Sequence, residues 1–332
     1  MSARLVILAA FAAVFALLGA PTANAQTSIL NVSYDVSREL YKDINSAFAA
    51  EWKKTSGQDI TIKQSHGGST KQVQSVAEGL EADVVTMNQA PDIDFLVSKG
   101  LVTKGWRSKF PNGGAPYTSV SVFLVRKDNP KGIKDWSDLV KPGMQVVIPN
   151  PKLTGNGRYT YLAAWGYAKQ TLGDAATRDF VAKLFANVPV FDGGGRSATT
   201  TFTQRGIGDA LVTFENEAQL ISAEVGADKF DVVYPSISVE APAPVAVVDK
   251  MVDKHGTREA AQAYLTFLYS PKAQAIIAKH NLRPRDPAVF AANQAKFPAI
   301  KTFDVEVLLG PWEEVRETHF GEGGIYDQIA AR

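Results

Sequence analysis

Apolar residues along this chain come in short unbroken runs, and most runs give way to a small polar cluster and then to a helical spacing. Residues 29–33 read as a buried strand; after Tyr34-Asp35, the positions Leu40, Ile44, Phe48 and Trp52 recur every fourth residue and predict an amphipathic helix. Ile60 and Ile62 mark a second strand, followed by Ser65-His66-Gly67-Gly68-Ser69-Thr70 and a helix to about Glu81. Residues 146–148 predict a strand ahead of residues 149–156, and residues 159–168 a helix. Residues 188–191 predict a strand that leads through Asp192-Gly193-Gly194-Gly195-Arg196-Ser197 into a helix over residues 199–205. Residues 210–213 lead through Phe214-Glu215-Asn216 into a helix carrying Leu220 and Ile221. Strands alternating with helices predict an α/β fold with largely parallel sheets.

This pattern places the polar turns. In an open parallel sheet they gather at the carboxyl ends of the strands, where ligands bind, and each opens a helix. A helix N-terminus offers unpaired N–H groups and about half a positive charge, so several converging there make an anion site. The glycines at 67–68, 155, 157 and 193–195 let backbone approach a ligand closely.

Composition removes other classes. At 332 residues and 45% hydrophobic content, the chain is long enough for about two domains with real cores. Lys plus Arg total 35 against 34 Asp plus Glu, and no basic run occurs, so there is no electrostatic footprint for nucleic acid. Arg4, the apolar stretch over residues 5–20 and Ala23-Asn24-Ala25 read as a signal peptide over residues 1–25, cleaved before Gln26. Its removal takes away one basic group and leaves a formally neutral chain, expected to be exported to a periplasm. No cysteine is present, which excludes disulfides and thiol-linked lipid. No later apolar run has spanning length.

Catalytic signatures are sparse. His66, His255, His280 and His319 lie far apart with no metal spacing, so neither a metal nor a cofactor is expected. Neither a G-x-S-x-G elbow nor a phosphate-loop sequence occurs, and the paired glycines lack the third glycine of a dinucleotide fingerprint. Ser65-His66 and Ser69 allow a hydrolase as an alternative, although adjacent residues on one loop seldom form a nucleophile and base; His66 is expected to shape its loop through a ring hydrogen bond.

Asn31-Val32-Ser33-Tyr34-Asp35, Gln64-Ser65-His66-Gly67-Gly68-Ser69, Asn150-Pro151-Lys152, the stretch from Arg158 to Ala168, Arg205-Gly206-Ile207-Gly208-Asp209 and Tyr269-Ser270-Pro271 together resemble the periplasmic sulfate- and thiosulfate-binding proteins of bacterial ABC importers. The resemblance runs over nearly the whole chain after residue 30. It implies a two-domain periplasmic binding protein fold (type II) with the anion in the interdomain cleft, and no enzyme activity. Its partners would be sulfate or thiosulfate and the permease and ATPase subunits of an importer, the protein itself acting as a monomer. The lobes are expected at residues 27–117 plus 243–332 and at 118–242, with crossings near residues 117–122 and 236–244. A molybdate-type oxyanion is the further alternative.

Carried over by position, the resemblance implies anion contacts from the Asp35 N–H, the Ser69 N–H and hydroxyl, the Thr154 hydroxyl, the Gly155 and Asn156 N–H groups and the Gly195 N–H, with Arg196 as supporting charge. Asn156 stands where the sulfate-binding relatives have a second glycine, and Phe214 where they have a tryptophan donor; phenylalanine has no hydrogen to donate. These departures look closer to the thiosulfate-binding branch. Such a site would hold a proton-free dianion among donors alone and reject hydrogen phosphate, whose O–H needs an acceptor. Asp35 is expected to cap a helix, its carboxylate turned from the cleft onto backbone N–H groups.

Overall fold

The computed structural model describes residues 27–226 and 228–330. The signal peptide expected over residues 1–25 lies outside the described residues.

Two sheets organise the chain. The first contains β1 (Thr27–Tyr34), β2 (Ile60–Gly67), β3 (Val84–Thr86) and β10 (Val245–Val247) in the order β10-β3-β1-β2. The second runs β12 (Lys301–Phe303), β9 (Ile237–Pro242), β4 (Tyr117–Arg126), β7 (Ala210–Phe214), β5 (Val146–Pro149), β6 (Phe191–Asp192), with β8 (Phe230–Val233) and the short β11 (Arg283–Pro284) also on β4. The strands that feed the polar turns pair in parallel: β1 with β2 and β3, and β5 with β6 and β7. Antiparallel pairing is confined to β4 and to β10. The two stretches expected to cross between lobes, β4 and β9, lie side by side, with Thr118 opposite Pro242.

Helices follow the strands as the apolar spacing requires. Helix α1 (Arg38–Ser56) buries Leu40, Ile44, Phe48 and Trp52, the stripe read from the sequence. Next come α2 (Ser69–Ala77), α3 (Ala90–Ser98), α4 (Gly155–Leu172), α5 (Asp174–Ala186), α6 (Gly195–Thr203) and α7 (Glu215–Val225). Helix α2 stops short of Glu81 because Gly79 adopts φ of +118°, which leaves the helical region. The expected strand over residues 188–191 shrinks to Phe191–Asp192.

The end of the chain begins on the second sheet. β12 pairs with β9, and the segment beyond it packs on α4 and α5, while Trp312–Val315 also touches α3 and Glu306 pairs with Arg107 at 2.8 Å. Tyr161 of α4 sits against Phe320 and Tyr326, at ring separations of 5.1 and 6.1 Å, and its hydroxyl lies 2.9 Å from His319 Nδ1. Lys152 holds Asp327 at 2.8 Å. An amphipathic tail must bury its apolar side somewhere, and its aromatic groups meet their partners on the second sheet's helices.

Candidate functional site

Turns from both sheets meet at one point. After β1 comes Tyr34-Asp35-Val36, after β2 Gly67-Gly68-Ser69, after β3 Asn88; from the other side come Thr154-Gly155-Asn156, Gly195 and Phe214. They line a small, partly open cavity of about 20 Å³. Four helices of nine residues or more open here: α2 at Ser69, α4 at Gly155, α6 at Gly195 and α7 just after Phe214. Asp35, Ser69, Thr154, Gly155, Asn156, Gly195 and Phe214 therefore share one wall, whereas Arg196 does not line it.

The glycines let the two sides touch. A Cβ at Gly68 would lie 3.2 Å from the Leu153 carbonyl oxygen, and one at Gly195 would lie 3.1 Å from Val36. Close approach here serves contact between lobes as well as room for a ligand.

The side chains are more committed than the sequence implies. Ser69 is buried, and its hydroxyl donates to the Asp92 carboxylate. Thr154 caps α4: its Oγ1 accepts the Gly157 N–H at 3.0 Å and donates to the Asn150 carbonyl at 3.0 Å. Asp35 is not a cap, which corrects the expectation. Tyr34 stands at the N-cap of the short 3₁₀ turn Asp35–Ser37 and Ser37 at that of α1, neither with a side-chain capping bond. Asp35 Oδ1 instead lies 3.4 Å from the largely exposed Arg38 guanidinium, because the tight turn puts the carboxylate beside the first helical residue. Phe214, 1% exposed, packs edge-on against Tyr159 at 6.0 Å.

Charged groups stand behind this wall. Asp92 accepts from Gln89 at 2.8 Å and Thr70 at 3.3 Å, and faces Arg158 at 3.7 Å. Burial pushes the Asp92 carboxyl up and the Arg158 guanidinium down. Arg196 reaches Glu39 at 2.7 Å and Glu217 at 3.5 Å. Burial raises Glu217 to about 7 against the pull of Arg196. The His66 ring nitrogens lie 3.1 Å from the Tyr34 carbonyl and 2.6 Å from the Gln64 amide oxygen, the loop-shaping role expected of it, and burial lowers its pKa. The Ser69 hydroxyl is on Asp92 rather than on His66, so these two do not form a nucleophile and base pair.

Sequence reading missed Asn88 and Asp92. Met87-Asn88-Gln89 repeats the strand, polar turn, helix signature, but β3 is only three residues long and its run is too short to stand out. Among the described residues no group of His, Cys, Asp and Glu forms a metal site, and no helix is long and apolar enough to cross a membrane.

Comparison with known proteins adds to this geometry. A family model described as bacterial extracellular solute-binding protein matches residues 30–283. A thiosulfate-binding protein of Pseudomonas aeruginosa is 56% identical over 328 residues, 98% of each chain. A sulfate-binding protein of Escherichia coli is 51% identical over 306 residues, 92% of this chain and 93% of its own. Among solved structures, the sulfate-binding protein SubI from Mycobacterium tuberculosis aligns with a TM-score of 0.81 at 34% identity, over 89% of this chain and 100% of that one.

Proposed function

The chain belongs to the bacterial extracellular solute-binding proteins, and from that premise we propose that it captures sulfate or thiosulfate in the cavity between its lobes. The fold is the two-lobe type II periplasmic binding fold. After export to the periplasm the protein works as a monomer. Its lobes close on the anion about the paired strands β4 and β9, and the closed form delivers it to a membrane permease driven by an ATPase. In this division residues 301–330 move with the second lobe.

One observation carries the reading: the N-termini of four helices, two of them preceded by glycine, open onto a single small cavity. Their N–H groups and dipoles suit a small dianion without a lysine or arginine touching it. Donors from the first lobe are the N–H groups of Asp35 and Ser69; those from the second are the N–H groups of Gly155, Asn156 and Gly195. Hydrogen bonds to a charged group contribute roughly 1.5 to 3 kcal/mol each, so five or more offset the desolvation of an anion of this size. Thr154 and Ser69 hydroxyls join them only by leaving Asn150 and Asp92. Arg196 acts from behind, through Glu39 and Glu217.

Calorimetric titration with sulfate, thiosulfate, phosphate and molybdate tests this. Heat with sulfate or thiosulfate and none with phosphate is expected; binding of phosphate alone would overturn it. Phe214→Trp supplies an indole N–H at the wall and is expected to raise affinity for sulfate relative to thiosulfate, measured in the same titrations; an unchanged ratio would reduce Phe214 to packing.

A further inference from the structure

Asn88 has the properties of a binding residue that nothing in the sequence motifs singled out. It follows β3, is 6% exposed and lines the cavity. Its Oδ1 has no hydrogen-bond partner, although buried side-chain amides nearly always have one. Its carboxamide fills the space beside Gly155 of the opposite lobe: a Cβ there would fall 2.0 Å from Asn88 Oδ1 and 2.8 Å from Nδ2. Across the cavity Asn156, 4% exposed, donates through Nδ2 to Thr213 at 3.1 Å and leaves its own Oδ1 unpartnered.

The other polar side chains on this wall have their hydrogens assigned. Ser69 donates to Asp92, Thr154 donates to Asn150, and the Tyr34 hydroxyl lies 3.3 Å from that of Tyr117. Phe214 has no polar hydrogen. Asn156 is tied at one end to Thr213, which leaves Asn88 as the lining side chain whose amide makes no hydrogen bond. The two ends of a primary amide have nearly the same size, and the last torsion is broad, so turning it by half a revolution presents N–H in place of oxygen without repacking.

We propose that Asn88 is an anion-contacting residue of the first lobe, donating Nδ2–H to the bound dianion while its amide seats on Gly155. The inference rests on the anion-binding reading above and extends it. A neutral donor adds a hydrogen bond and no countercharge. Because its seat belongs to the other lobe, the contact is complete only when the lobes are together, and Asn88 thereby links occupancy to closure. Gly155 is glycine for the same reason: any side chain there would take the place of the amide.

The test is calorimetry with sodium sulfate and sodium thiosulfate on the wild type, Asn88→Ala, Asn88→Asp, Gly155→Ala and the Asn88→Ala/Gly155→Ala double variant, with thermal melts of each free protein to confirm folding. Wild type that binds neither anion would defeat the parent reading and not this one alone. With binding in hand, Asn88→Ala is expected to weaken both anions by about 10- to 100-fold. Asn88→Asp is expected to weaken them further at about pH 7.5 and to recover at about pH 4.5, where a carboxyl raised above its ordinary value of about 3.9 by burial and by the neighbouring dianion is protonated and again donates. The wild type measured at both pH values accounts for Asp35, Asp92 and Glu217. Gly155→Ala is expected to lose affinity, and the double variant to bind no worse than Asn88→Ala. Wild-type affinity in Asn88→Ala, no recovery of Asn88→Asp on acidification, or a double variant weaker than either single one would overturn the proposal.

Discussion

Two ion pairs connect the halves of the molecule beside the cavity, and the shorter is the more exposed. Arg196 and Glu39 meet at 2.7 Å with 32% and 37% of their side chains exposed; Arg158 and Asp92 stand 3.7 Å apart at 11% and 3%. Distance alone would rank the first above the second. Water reverses the order: an exposed pair contributes about 0 to 1 kcal/mol, whereas removing one partner of a buried pair costs about 3 to 5 kcal/mol because the other charge stays behind unsolvated. Behind the exposed pair lies Glu217, whose carboxylate is fully enclosed, accepts from Thr199 at 2.9 Å and keeps Oε2 without a partner. One connection is thus held by solvation cost, the other by a surface attraction backed by a reluctant buried acid.

Removing Arg158 separates the two most strongly. Arg158→Met keeps the volume of the side chain and leaves Asp92 with only Ser69, Thr70 and Gln89. Stability in urea unfolding of the free protein is expected to fall by about 3 to 5 kcal/mol at neutral pH. Asp92 already titrates above its ordinary value near 3.8 because burial disfavours its charge, and loss of Arg158 pushes it higher. For a raised acid, stability is fully present below the unfolded value and is lost as pH rises through the folded one, so the deficit of the variant should grow with pH from about 4 upward. A deficit under about 1 kcal/mol, or one independent of pH, would break the contrast.

Glu217→Gln comes next. The acid titrates at about 7 in the fold against 4.5 ordinarily. Its contribution is present in full below pH 4.5 and is lost as pH rises through about 7. The glutamine variant cannot ionise. Thermal and urea unfolding should therefore show it equal to the wild type near pH 5 and more stable by roughly 2 to 3 kcal/mol near pH 8.5. An identical pH slope in both proteins would mean that Glu217 is solvated after all.

These pairs also mark what the chain discloses by pattern and what it does not. Two of the three strands that feed the cavity on the second side were legible with their polar turns, the strand over residues 188–191 shrinking to Phe191–Asp192, and the α1 stripe was read residue for residue, since period and punctuation are local properties. Of the site residues implied by the family motifs, all but Arg196 meet on one surface, which also holds the unforeseen Asn88. Partners were not legible. That Ser69 donates to Asp92, 23 residues away, or that Arg196 joins α1 to α7, follows from the packing of separate elements. Asp35 was misread for a related reason: the 3₁₀ turn moves the cap position one residue earlier, which no residue preference announces. The tail after Lys301 has apolar periodicity but carries no sign of the element it covers; its placement follows from ring contacts with Tyr161, Phe185 and Trp165.

The smallest effect tests the comparison from its weaker side. Glu39→Gln removes the exposed partner of Arg196 and leaves the guanidinium free to turn fully to Glu217, 3.5 Å away. Two consequences oppose one another: the connection between lobes loses a surface attraction, and Glu217 gains a closer countercharge. The net change in thiosulfate affinity is expected to be under about fivefold at low salt, the range of an exposed pair. Near 1 M sodium chloride, where charges are screened beyond about 3 Å, the difference from wild type should vanish. Arg158→Met measured across the same salt series should show no such convergence, because no counterion reaches its site. A Glu39→Gln effect that persists at high salt would mean that the lobes exclude water from this pair when closed, and that the two connections are alike in the state that holds the anion.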